Sequence, residues 1–362
     1  EGAKDVAVFW KDEVTSKIRF LHGQEEIFDD FPQWQKSFYI NYAQQGAAFI
    51  SIAANDPELM KDVNPERMVR AQRASSTALK EYRERLMSNQ NPWCVVSVPT
   101  EAWAQKVFPG ETKEDAMEKL WEAILSSVRV DQDDPVQAWE DHKNNLQRTM
   151  DFLNSHNFKS LHFKNSLGTD LSIGLPEDHL WIGGPDYTAD GIEFIANMPT
   201  EEVFTMPHRT KVNGKVVSSM PLNYNGNLIT NFSLTFKDGR IIECTAEEGL
   251  EQLKGLINTD EGSHYLGEVA LVPYDSPISN SGILFYNTLF DENAACHLAI
   301  GKAYPVNLKN GDKLSEEELL VAGANDSLIH EDFMIGTPDL SITGITQDER
   351  EVPIFVKGNF AF

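Results

Sequence analysis

His297, Tyr304, His330 and Asp332 fall in two short stretches, 282–305 and 329–344. His330 and Asp332 flank Glu331 and precede the apolar run Phe333-Met334-Ile335-Gly336. Residues two apart on a strand face the same way, so His330 and Asp332 share one face and Glu331 takes the other. A buried imidazole and carboxylate both need partners. A ligated cation supplies one for each; a His–Asp ion pair is the alternative.

His297 lies in the run ENAACHLAIGKAY, which reads as a helix with Asp291 as N-cap. Tyr304 follows His297 by about two helical turns, which puts an imidazole and a phenol on one face. Glu292 is about 140° around that helix from His297. In the first turn its carboxylate also complements the helix dipole. Two more segments carry acids in apolar surroundings: Glu201 and Glu202 in NMPTEEVFT, and Glu268 at the head of LGEVALVP. Singly, each fits a cap or a solvated position. Together, these acids and imidazoles favour a mixed carboxylate–imidazole metal site, and hence hydrolysis. Cys296 beside His297 suggests a thiol–imidazole pair, but adjacent helical residues diverge by about 100°.

The elements that must position these groups divide the chain at about residue 157. In 1–157, the runs VAVFW (6–10), GAAFISIA (46–53) and WCVVSV (93–98) read as buried strands. Residues 65–89, 112–127 and 135–157 read as amphipathic helices. This alternation predicts an α/β domain with a parallel-type sheet. Residues 158–362 read as a β-rich α+β domain carrying the metal site. Its short strands include 161–163, 169–174, 215–219, 232–236 and 240–246. Asn213-Gly214 and Asp238-Gly239 signal hairpin turns. A helix is expected over 247–257, and 309–319 reads as a polar turn leading into a short acidic helix.

The net charge of -25 disfavours nucleic acid and anionic membrane surfaces, both of which demand clustered Lys and Arg. It favours cations, including metal ions and the ammonium of a peptide N-terminus. Cys94, Cys244 and Cys296 have no metal-type spacing and read as reduced thiols of a cytoplasmic protein. No apolar run is long enough to span a bilayer. The chain opens EGAKDVAVFW, as if inside a domain, so a preceding segment is expected. Neither G-x-G-x-x-G nor a P-loop is present in the first half.

The stretches FYNTLFDENAACHLAIGKAYP, HEDFMIG, PTEEVFT and LGEVALVP, with DPVQAWEDH and NYNGN, make the chain similar to the aminopeptidase T / aminopeptidase S family of bacterial metallo-aminopeptidases. The resemblance covers nearly the whole chain. It implies an α/β domain joined to a β-rich domain with two divalent metal ions: zinc first, with cobalt or manganese compatible. By position it implies the ligands Glu202, Glu268, His297, His330 and Asp332, with Glu268 as the bridge. Glu201 is the alternative to Glu202 as first ligand, and the spacing to Glu268 favours Glu202. Tyr304 matches the family's catalytic tyrosine. Glu201 and Glu292 are the candidates for the base that carries the water's proton. A homodimer acting on peptides with a free N-terminus is also implied. The segment TPDLSITG departs from the family pattern and leaves substrate preference open, although Phe285, Tyr286 and Phe290 suggest an apolar pocket. Two other readings are another dinuclear hydrolase, such as a phosphoesterase, and a non-catalytic protein with a structural metal site. The phosphoesterase reading is weakened because the key motifs hold no basic residue except Lys302.

Overall fold

The structure, a computed structural model, describes residues 2–224 and 227–362; Asn225 and Gly226 of the NYNGN stretch lie outside the described residues. Its first part is helical. The helices Lys113–Ser127 and Pro135–His156 start where Thr112 and Asp134 accept a backbone N–H from Asp115 and Gln137. The latter ends at Asn157 in the left-handed conformation. The single helix expected over 65–89 is two helices, Pro65–Ala78 and Lys80–Met87, parted at Leu79. Ser75, Ser76 and Thr77, residue types that weaken helix interiors, lie just before the break.

Strands Phe49–Ala53 and Trp93–Ser97 form a parallel pair, as the alternation predicts. They are not deeply buried, and Ile50 and Ile52 are exposed. Residues 6–10 form no strand. Phe9 turns inward onto Trp34, Phe38 and Tyr39, while Val6, Val8 and Trp10 stay exposed. An apolar run becomes a strand only when a neighbour takes its backbone donors and acceptors.

Two larger antiparallel sheets follow. One has eight strands, ordered Arg240–Thr245, Ser233–Lys237, Val212–Val217, Asp170–Gly174, Ser160–Lys164, Ser341–Ile345, Glu351–Val356 and Asn359–Phe360. Asp238-Gly239 makes the expected hairpin turn in it. Asn213-Gly214 does not: it lies within strand Val212–Val217. Gly214 has φ 118°, and a Cβ there would meet the Asp170 carbonyl oxygen at 2.2 Å, so the glycine serves a close strand approach.

The other sheet carries the site. Its order is His330–Met334, His297–Gly301, Leu266–Leu271, Val203–Thr205 and Ile182–Gly183. Val203, Val269, Leu271, Leu298, Ile300 and Phe333 join the main core on one face. Leu146, Met150 and Leu153 of helix Pro135–His156 enter the same core. A second cluster sets Trp103, Leu120 and Ile124 against Phe285, Leu289 and Phe290. Packing thus runs continuously across residue 157.

Candidate metal centre

The sheet register gathers the chemistry on the face opposite the core. Glu268 pairs with Ala299, and Ala299 with Asp332, so two carboxylates flank one small residue. His297 and His330 each lie two residues from that row and share its face. Phe204 is opposite Ala270, which is opposite His297, and Glu202 continues the same alternation two residues earlier. A bulge between Leu266 and Glu268 seats Glu268. It requires Gly267, where a Cβ would fall 2.4 Å from the Lys302 carbonyl oxygen.

His297 is therefore a strand residue, not the helical residue expected. The helix before it ends at Asp291, whose side chain makes no capping bond to the turn Glu292–Ala294: it is buried and accepts N–H donors from Phe285 and Asn287. Strand pairing on both sides overrides the Ala-rich helical preference of the run. Tyr304 lies beyond the strand and reaches the cavity by its backbone path, with its ring edge-on to His330 at 4.9 Å and to Phe204 at 5.8 Å.

Glu202, Glu268 and His297 place ligand atoms within 4.8 Å of one another, and so do Glu268, His330 and Asp332. Glu268 belongs to both groups. Its Oε1 is 3.5 Å from His297 Nε2, and its Oε2 is 3.6 Å from His330 Nε2. Glu202 Oε2 is 2.9 Å from His297 Nε2, and Asp332 Oδ1 is 3.5 Å from His330 Nε2. Yet both of those oxygens are buried without a hydrogen bond. The Nδ1 of His297 faces the Ala295 carbonyl at 3.1 Å, and that of His330 faces the Lys302 carbonyl at 2.6 Å. Each Nδ1–H is thereby engaged, and each Nε2 is aimed at the carboxylates. Orphaned carboxylate oxygens beside two oriented imidazoles fit divalent cations.

The family model for thermophilic metalloprotease (M29) matches residues 1–360. The chain belongs to this family. It is 51% identical to aminopeptidase 2 of Geobacillus stearothermophilus, covering all of this chain and 87% of that protein. It is 49% identical to aminopeptidase AmpS of Bacillus subtilis, covering all of this chain and 88% of that one. The solved structure of wild-type AmpT from Thermus thermophilus is 39% identical and superposes with a TM-score of 0.91, over all of this chain and 88% of that one. The chain is accordingly a metal-dependent aminopeptidase acting on peptides, with a mixed α/β fold.

In this M29 enzyme, burial without metal sets unusual protonation. Burial alone would lower both imidazoles, but the carboxylates against them reverse the sign. His297 is held well above its usual value by Glu202 and Glu268, and His330 rises to about 10 under Asp332 and Glu268. Burial lifts Glu268 to about 7. Burial, then the charges of Asp332 and Glu202, drives Glu292 well above the carboxylate range. Burial acts to raise Asp332, but His330, His297 and a hydrogen bond with Glu292 together hold it low. Burial and the surrounding carboxylates push the Tyr304 phenol up, so it keeps its proton at neutral pH.

Glu201 and Glu292 part company. Glu292 lies in the buried turn Glu292–Ala294 and lines the cavity. Glu201 faces away, paired with Arg129 through both oxygens at 2.6 and 2.9 Å. Asn293 ties the two segments together: its Oδ1 accepts the Glu201 N–H at 2.7 Å, and its Nδ2 donates to the Leu289 carbonyl at 2.9 Å. No local pattern in the chain singles out Asn293. Phe285 and Phe290 stack on each other in the core and do not line the cavity. Its apolar wall comes from Leu86, Met87, Trp93, Ile182, Phe204 and Val306. Cys296 points to the Val272 carbonyl and has no part in the cluster.

Proposed function

We propose that Glu202, Glu268, His297, His330 and Asp332 hold two divalent metal ions, zinc by preference, with Glu268 shared between them. The reading rests on one observation: Glu268 offers a separate oxygen to each imidazole group. When bound, the ions lower the pKa of a water to near neutrality and polarise the scissile carbonyl. The residues of the chain do the rest. Glu292 takes the water's proton and returns it to the departing amine. It fits the role because it is buried in the wall of the cavity that the metal-capable residues line. Glu201 does not fit, since Arg129 occupies both of its oxygens. Tyr304 keeps its proton and donates to the oxygen that becomes negative. Peptides with a free N-terminus are the substrates, and we assign the enzyme to the cytoplasm as a homodimer. The phosphoesterase alternative is disfavoured because no Lys or Arg lines the cavity among the described residues. Lys302 is instead paired with Asp326 at 2.7 Å.

The test combines metal analysis by mass spectrometry with hydrolysis of leucine p-nitroanilide before and after chelation. Two ions per chain and chelator-sensitive release are expected. One ion per chain in fully active enzyme, or equal cleavage of free and N-acetylated peptides, defeats the proposal.

A further inference from the structure

Five carboxylates line the cavity: Asp186, Glu202, Glu268, Glu292 and Asp332. Four of them belong to the cluster described above. Asp186, on strand Pro185–Tyr187, belongs to neither metal-capable group. We propose that Asp186 receives the α-ammonium group of the peptide substrate and so restricts the enzyme to chain ends. This assignment rests on the aminopeptidase reading of the same cavity.

Asp186 is held from one side only. Asn89 Nδ2 donates to its Oδ1 at 3.0 Å. Asn89 takes the left-handed conformation, φ 53°, just past helix Lys80–Met87, and this turn aims its amide at the carboxylate. Oδ2 has no hydrogen-bond or ion-pair partner among the described residues. Burial disfavours the charge on Asp186, and neighbouring Glu202 adds to the effect. A half-buried carboxylate with a fixed orientation and one idle oxygen is matched by a cation that arrives with the ligand.

The position also suits the reaction. The amine and the scissile carbonyl of an N-terminal residue are one carbon apart, so their receptors must share one small cavity. Gly183 presses against the Glu202 backbone, where a Cβ would meet the Glu202 carbonyl oxygen at 2.5 Å. Asp186 follows three residues later and lines the same cavity as the metal-capable carboxylates. An internal peptide has an uncharged amide in place of the ammonium. It would leave Asp186 buried without compensation.

Two ligands that differ only in the amine test the assignment: leucine hydroxamate and 4-methylpentanohydroxamate, titrated calorimetrically into the metal-loaded protein. The wild type is expected to prefer the amine by about tenfold to a hundredfold. In Asp186→Asn, with metal content unchanged, that preference should shrink to within roughly threefold. The KM for leucine p-nitroanilide should rise by about tenfold to a hundredfold. Asp186→Ser supplies the same comparison should the Asn variant not fold. Full preference for the amine in either folded variant overturns the assignment and places the amine elsewhere. Chelator-sensitive hydrolysis by the wild type is read separately. Its absence defeats the aminopeptidase reading, whereas an active wild type with an equally active Asp186→Asn defeats this assignment alone.

Discussion

Two buried ionic clusters lie on opposite sides of one short segment, with Glu201 facing one and Glu202 the other. Behind the sheet, Glu201 meets Arg129, and His142 approaches to 3.7 Å while its Nε2 contacts the Thr200 carbonyl at 2.7 Å. That cluster contains its own permanent cation. In front, Glu202, Glu268, Glu292 and Asp332 surround two imidazoles, and no Lys or Arg lines the cavity among the described residues. Without metal, burial lifts Glu268 and Glu292, while the carboxylates beside His297 and His330 lift both imidazoles against their burial. The difference separates an ion pair that carries its own cation from a site built to take up cations.

Substitutions should keep the two clusters distinct. Glu268→Ala removes the carboxylate common to both metal-capable groups. The expected outcome is loss of bound metal by mass spectrometry and loss of peptidase activity, with the fold retained by circular dichroism. Metal retention in that variant would erase the contrast. Tyr304→Phe should lower kcat by about 10²–10³-fold, the cost of removing one well-placed donor to an oxyanion, with metal content and KM little changed.

Behind the sheet the pattern reverses. Arg129→Met strands the Glu201 carboxylate in the interior and should destabilise the fold by about 3–5 kcal/mol in denaturant titrations. Metal stoichiometry should stay at the wild-type value. If Arg129→Met empties the metal site without lowering stability, the two clusters form a single unit.

The smallest effect is on pH dependence. In the metal-free protein, Glu268 titrates at about 7 against a usual 4.5, and His330 at about 10 against 6.5. Groups raised on folding stabilise below their unfolded values and lose that contribution as pH climbs through the folded ones. The chelated protein should therefore lose stability as pH rises from about 4.5 to 7 for Glu268 and from 6.5 to about 10 for His330. Buried Asp291, lifted to about 7, acts in the same direction. The loaded protein should escape most of this loss, and loading at pH 7 should release protons, measurable with an indicator dye. A melting temperature of the chelated protein that rises over this range would contradict the protonation pattern.

Much of the site was legible in the chain because a strand's alternation is local. His330 and Asp332 share a face in strand His330–Met334, and Glu268 enters a fully buried strand. The same two-residue rule, continued back from Phe204, turns Glu202 toward the cavity and Glu201 toward Arg129. The environment of His297 was not legible. Alanines and an apparent cap describe a helix, and only pairing with strands Leu266–Leu271 and His330–Met334 makes the run extended. Hydrogen bonds to neighbours distant in sequence outweigh a local preference worth a fraction of a kcal/mol per residue.

The sequence by itself determined which residue types could bind a cation, the faces they take along a strand, and the family to which they belong. Tertiary structure decided which carboxylates already had a cation and which did not. It also decided that Asp186 and Asn89 meet at the cavity wall. Both outcomes depend on strand register and on helices folding back across the sheet, and those distances between remote parts of the chain are not encoded in any local pattern.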